Sequence, residues 1–416
     1  MKTIIIGAGP GGYETAAEAA SRGIEVILIS EGPLGGTCLN EGCIPTKALC
    51  SMSSPDLERK AEVIAQLQAG IAQLMRNKLI TMVQGRAKLL GGCNVEVDGI
   101  QYSADALIIA TGSVSASLPI PGAAEALDST GMLNLDHVPS RLCVIGGGVI
   151  GLEFASIYRK FGSEVTVLEF CPNVLPRFDI DLSKRLKAAL VRRGIVIETS
   201  ARVTEIDGNT VRWTKNDKSF ETEADCVLMA VGRRPNLGSL NLDEAGIDYT
   251  PKGIKVDANM QTNVPGVYAI GDITGGMMLA HVASAQGRRA LNHICGEQDG
   301  IDFSVVPAAV FTVPEVATVG KTEEECVGIE IKVGKANYRA NGKAVASGQS
   351  DGWCKVLADK SSGRILGVHI MGAHASDIIH EAAVLVALGV NTKNARDIIH
   401  AHPTLSEVLL AAIAAA

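Results

Sequence analysis

Two glycine-rich turns, each set between an apolar run and a helix-like stretch, restrict this chain more than any other feature. Residues 3–6 read as a buried parallel strand, Gly7-Ala8-Gly9-Pro10-Gly11-Gly12 as the turn, the stretch to Arg22 as a helix, and 25–29 as a second strand. The order recurs with 142–145, then Gly146-Gly147-Gly148-Val149-Ile150-Gly151, a helix to Phe161 and a strand over 164–168. One such glycine pattern is a weak signal. Two copies, each inside a complete strand-helix-strand unit, predict two bound dinucleotides. The glycines let backbone amides approach a pyrophosphate at a helix N-terminus. Gly7, Gly9 and Gly12 in the first unit, and Gly146, Gly148, Ile150 and Gly151 in the second, are therefore candidate cofactor contacts.

A carboxylate about twenty residues past the first glycine can accept hydrogen bonds from ribose hydroxyls. In the second unit this is Glu169, whose charge would repel a 2′-phosphate, so NAD is expected rather than NADP. In the first unit the same interval reaches Ser30, with Glu31 next, and either could meet the ribose. Residues 106–112 and 227–232 read as strands ending in small residues, each bordering its own nucleotide, and 268–272 as a return to the first unit. Asp272 reads equally well as a turn residue after glycine. From about Val306, short alternating strands and two helical patterns, 376–388 and 404–412, read as a separate α+β domain.

Just past the first unit stands Gly35-Gly36-Thr37-Cys38-Leu39-Asn40-Glu41-Gly42-Cys43-Ile44-Pro45-Thr46-Lys47. Two cysteines five apart on an unbroken helix would have Cα atoms roughly 8 to 9 Å apart and pointing away from each other, too far for a disulfide. Distorted backbone near Gly42, followed by Pro45 in a first helical turn, could hold the sulfurs close at a helix start, where amide dipoles favour a thiolate. Two small buried residues are the plainer reading, which the flanking glycines and Lys47 oppose. The densest ionisable cluster elsewhere is His400 to Glu407, where Thr404 and Glu407 also have the spacing of a helix capping box. Glu407 can serve that role and orient a histidine only if its two oxygens divide the work.

With 416 residues, 47% of them hydrophobic, the chain can bury two to four ordinary cores. A net charge of −7 without a run of like charge argues against nucleic acid as a partner. No apolar segment approaches a membrane span, and the strand beginning near Met1 leaves no room for a signal peptide, so a cytoplasmic location is expected. Of the ten cysteines, eight read as reduced and structural, and none has zinc-ligand spacing.

In chain order, the cysteine run, the twin glycine units, Gly271-Asp272 and His402-Pro403-Thr404-Leu405-Ser406-Glu407 resemble the pyridine nucleotide disulfide oxidoreductases over nearly the whole length. The branch that oxidises dihydrolipoyl groups is the most similar. The resemblance implies an α/β fold of two Rossmann-like domains, an FAD domain over 1–137 and 262–304 and an NAD domain over 138–261, plus a C-terminal α+β dimerisation domain over 305–416. It implies that Cys38 exchanges with substrate, that Cys43 lies against the flavin, and that His402, oriented by Glu407, is the acid–base group serving the other subunit of a homodimer. Lys47 and Glu153 match the family's ion pair beside the flavin. Gly36, Thr37, Ala87, Thr111, Gly112, Asp272 and Ala280 would touch FAD, and Val203 and Gly232 would border NAD. The implied substrate is the lipoyl domain of a 2-oxo acid dehydrogenase complex or a glycine-cleavage carrier protein. A flavin reductase of another disulfide, or a docking subunit of a multienzyme complex, are the alternatives. Ser30, a short 47–85 interval and the nine residues after Glu407 depart from the family pattern, and weaker FAD binding and a weaker dimer are expected from them.

Overall fold

The computed structural model describes residues 1–238 and 240–416. Its first sheet has five parallel strands in the order Val267–Ala269, Ala106–Ile109, Lys2–Ile6, Glu25–Ser30 and Ile80–Gln84. Covered on both faces, such strands are apolar throughout rather than alternating. Ile4, Ile5, Leu28, Leu107 and Ile108 accordingly have no exposed surface. The helices Pro10–Ser21 and Ala280–Ile294 lie against one another, and small residues permit the close approach: a Cβ on Gly287 would stand 1.8 Å from Thr15 Oγ1.

A second parallel sheet runs in the order Ile195–Thr199, Glu164–Glu169, Arg141–Ile145 and Cys226–Met229, with the helix Val149–Phe161 following its central strand. Two three-stranded antiparallel sheets, Ala87 to Ser103 and Arg202 to Glu223, were not separated by the sequence reading. The chain also turns back to the first sheet earlier than residue 262. Leu240, Leu242, Ala245, Ile247 and Ile254 pack with Ile4, Leu107 and Val267, so apolar burial ties this stretch to the first core.

Beyond it, five antiparallel strands in the order Ala308–Val310, Val316–Gly320, Ile365–Met371, Trp353–Asp359 and Ile331–Asn337 form the last sheet. The helices Ala375–Ala387 and Glu407–Ala415 pack on it through Ile378, Ile379, Leu409 and Ile413. A short ribbon joins the two dinucleotide halves, Ser113–Ser115 pairing antiparallel with Arg233–Pro235. No helix among the described residues is long and apolar enough to cross a membrane.

Candidate active site

The cysteine run folds as two helices, Gly36–Glu41 and Cys43–Ser51, broken at Gly42. The break places the cysteines on different helices and brings their thiols near enough to shift each other's ionisation, which an unbroken helix forbids. A Cβ on Gly42 would meet the Thr37 carbonyl oxygen at 3.0 Å, so the turn closes this tightly only around a residue without a side chain. The contact with Cys38 lowers the Cys43 thiol to about 7, helped by the Lys47 ammonium against the opposing effects of burial and Glu153. The same contact, with burial, pushes Cys38 up. Cys43 is thus the first of the two to ionise.

Both thiols border a continuous cavity of about 2460 Å³ running between the two glycine turns. Cys38 also borders a separate pocket of about 530 Å³ lined by Tyr13, Leu67, Ile71, His281 and Arg288; Cys43 does not. Lys47 faces the cavity with its Nζ 2.7 Å from Glu153 Oε2 and 4.5 Å from the centre of the Phe311 ring. The other Glu153 oxygen accepts the Phe311 amide at 2.9 Å, so one buried carboxylate joins the cysteine helix, the second glycine helix and the C-terminal domain.

The two glycine turns share one geometry. Gly7 and Gly146 have φ of +106° and +113°, and a Cβ on either would stand 2.3 Å from the carbonyl oxygen of Ala110 or Ala230. Nothing lies within 4 Å of a Cβ built on Gly9 or Gly148, which leaves the backbone open where a pyrophosphate would approach. Gly12 and Gly151 do not line the cavity. Their Cβ atoms would collide with Gly7 O at 1.8 Å and Gly146 O at 1.9 Å, so they seat the helix on its strand rather than contact a cofactor. The turns fit a dinucleotide on these grounds.

Ser30, Glu31, Gly36, Thr37, Ala87, Thr111, Gly112, Asp272 and Ala280 all line the cavity, as do Ile150, Glu169, Val203 and Gly232. Glu169 is buried and accepts the amides of Gly147 and Cys171, so its carboxylate also braces the glycine turn. Ser30 Oγ donates to Gly32 O at 2.8 Å, whereas Glu31 pairs through one oxygen with Arg86. Ala87 opens a strand with its side chain buried. His281 lines both spaces, gives its Nε2 proton to the Pro307 carbonyl at 2.9 Å, and has its pKa pushed down by burial. No group of three metal-ligating side chains occurs among the described residues.

His402 and Glu407 lie away from the cavity of their own chain. Glu407 Oε1 takes the His402 Nδ1 proton at 2.8 Å and Oε2 accepts the Thr404 amide at 2.8 Å, the division of work that both roles demand. These two bonds hold the Glu407 carboxyl below the usual range. The expected capping box is only half formed. The helix starts at Glu407, and Thr404 Oγ1 donates to the Ala401 carbonyl instead of capping it. With Nδ1 carrying the proton, Nε2 presents a lone pair on a side chain 76% exposed.

Phe311, Ser113, Arg233 and the pocket residues Leu67 and Ile71 escaped the sequence reading, because each acts across long chain separations and carries no local motif.

Residues 1–287 match the family described as pyridine nucleotide-disulphide oxidoreductase, and residues 306–413 match its dimerisation domain. Dihydrolipoyl dehydrogenase of Bacillus subtilis is 38% identical over 98% of this chain and 97% of its own length. The enzyme of that name from Chlamydia muridarum is 41% identical over 97% and 94%. The solved structure of the HOCl-induced flavoprotein disulfide reductase RclA from Escherichia coli superposes with a TM-score of 0.92 at 31% identity, covering 100% of this chain and 99% of its own. The chain therefore belongs to the pyridine nucleotide-disulphide oxidoreductases, and its two-helix cysteine run faces the cavity between their twin glycine turns.

Proposed function

We propose that the protein is an FAD-dependent dihydrolipoyl dehydrogenase, converting a protein-bound dihydrolipoyl group and NAD into the lipoyl disulfide, NADH and a proton. The carrying observation is the placement of the thiols between two spaces. Cys38 borders both the small pocket and the large cavity, and Cys43 borders the cavity alone. Substrate entering by the pocket would meet Cys38 first. A dihydrolipoyl thiolate attacks Cys38 of the oxidised pair, forming a mixed disulfide and releasing Cys43 as thiolate. The second substrate thiol then displaces Cys38 and leaves as the closed lipoyl disulfide, its proton going to an imidazole.

That imidazole is His402 of a partner subunit in a homodimer, since His402 stands apart from its own chain's thiols. Its Nδ1 bond to Glu407 keeps Nε2 free for the proton. Gly7, Gly9, Gly36, Thr37, Thr111, Gly112, Asp272 and Ala280 would hold FAD beside Cys43, while Gly146, Gly148, Glu169, Val203 and Gly232 would hold NAD. When bound, FAD supplies the two-electron link between dithiol and NAD. Lys47 keeps a positive charge beside that site, favouring reduced, anionic cofactor and the Cys43 thiolate alike. The lipoyl group would come from a lipoyl domain or carrier protein, in the cytoplasm, where thiols stay reduced.

Cys38→Ser is expected to abolish lipoamide turnover, by about a thousandfold or more, while flavin content and dimer survive. Retained turnover would refute the mechanism. The likeness to a flavoprotein disulfide reductase supports a second reading, in which another disulfide is the substrate. Anaerobic addition of dihydrolipoamide separates the two: a new long-wavelength absorbance supports the first, whereas a flavin bleached only by NADH supports the second.

A further inference from the structure

Asp272 follows the edge strand Val267–Ala269 of the first sheet, and Ser113 follows its neighbour Ala106–Ile109, so the two side chains meet at adjacent strand ends. Arg233 arrives from the other half, on the strand that pairs with Ser113–Ser115. Its Nε donates to Ser113 Oγ at 2.7 Å and its Nη2 to the Ser113 carbonyl at 2.7 Å. A hydroxyl has a single proton. Having accepted from Arg233, Ser113 gives that proton to Asp272 Oδ2 at 2.5 Å, and the order Arg233 to Ser113 to Asp272 is fixed. Ser113 is buried, and all three residues border the large cavity. The other Asp272 oxygen makes no hydrogen bond among the described residues.

We propose that Arg233 acts through Ser113 as a strut, running from the second dinucleotide half to the first, which holds the Asp272 carboxylate for a hydroxyl of the flavin dinucleotide. One oxygen is anchored by the strut and the other is left to the ligand. Arg233 and Ser113 are positioning residues here, and Asp272 is the binding group. The strut also means that the two halves share a hydrogen-bonded link beside the cofactor in addition to their backbone ribbon. This inference rests on the reading that FAD occupies the first half of the cavity.

Full-length apoprotein titrated with FAD, followed by flavin fluorescence, tests it. Ser113→Ala and Arg233→Met are each expected to weaken FAD binding about tenfold, as loss of one buried charge-assisted hydrogen bond would. The double variant should be no weaker than the weaker single, because links in series fail together. Ser113→Thr keeps the hydroxyl and should bind within about threefold of the parent. Unchanged affinity in either truncation, additive losses in the double, or a threonine variant as weak as alanine would overturn the strut. If Arg233→Met does not fold, Arg233→Lys, which keeps the charge but not the paired contacts, is held to the same expectation. A parent chain that binds no FAD would instead remove the cofactor reading itself.

Discussion

Lys355 and Lys47 both pair with a carboxylate that is almost wholly buried, yet their surroundings are opposite. Lys355 is 1% exposed and reaches Asp179 at 2.9 Å, Asp181 at 3.2 Å and Glu323, joining the start of the helix Ile180–Arg192 to the C-terminal sheet. Lys47 is 32% exposed, pairs among the described residues with the single carboxylate Glu153, and turns its open side to the cavity and the Phe311 ring. Surrounding carboxylates neutralise the first cation and make it a fastener between domains. A single partner leaves the second with field to spare, and part of that field lowers the Cys43 thiol. Similar pairs of charges thus hold structure or tune chemistry according to how many counter-charges enclose them.

The largest effect should come from Lys355→Met, which strands Asp179 without its cation in the core. A loss of about 3–5 kcal/mol in unfolding free energy is expected by denaturant titration, much of it restored by adding Asp179→Leu. Lys47→Met also leaves the buried Glu153 without its cation, but breaks one ion pair rather than three, so it should cost less stability while moving Cys43 upward from about 7 toward the ordinary thiol value. Glu153→Gln removes the opposing negative charge and should move Cys43 the other way. Thiolate absorbance against pH measures both, and shifts of the same sign in the two variants would break the comparison. In the parent, Cys43 alkylation should rise as pH increases through about 7.

The smallest effect is a pH dependence of the fastener. Burial lowers the pKa of His369, which stands 3.8 Å from Asp179, is flanked by Thr318 and Lys321, and faces Lys355 and Glu324 as charged neighbours. A histidine with a depressed folded pKa binds protons preferentially when unfolded. Its contribution is therefore complete above the unfolded value of about 6.5 and is lost as pH falls below it. Asp179 adds to this at lower pH: burial raises its pKa, but His369, Lys355 and the Glu323 amide outweigh that and hold it below the usual range. Its contribution fades as pH drops through the carboxylate region. Unfolding titrations between pH 7 and 5 should show declining stability in the parent and a flatter profile in His369→Gln, and matching slopes would exclude His369 as the source.

Much of the architecture was legible because the strongest signals are local. Glycine turns carry their own steric reason, as the collisions at Gly7 and Gly146 demonstrate, and fully apolar runs such as residues 4–6 can only be interior strands. The cysteine run was legible for a similar reason, since its spacing demanded a break and Gly42 provides one. Other features were not. His369 carries no local motif, yet it lies beside a buried ion cluster formed with residues from three separate stretches of chain. Gly12 and Gly151 read as cofactor contacts, but the pattern cannot distinguish a glycine that opens backbone to a ligand from one that seats a helix.

By itself the sequence determined the two dinucleotide halves, the dithiol, and the histidine with its glutamate, because each is encoded within a few neighbouring residues whose sterics and chemistry leave few alternatives. Tertiary structure alone decided that Cys38 meets two spaces and Cys43 one, that Glu153 joins three parts of the chain, that residues 240–254 belong with the first core, and that Arg233 reaches Asp272 through Ser113. These depend on distances between residues far apart in the chain, which sheet order and burial establish only when the whole fold closes.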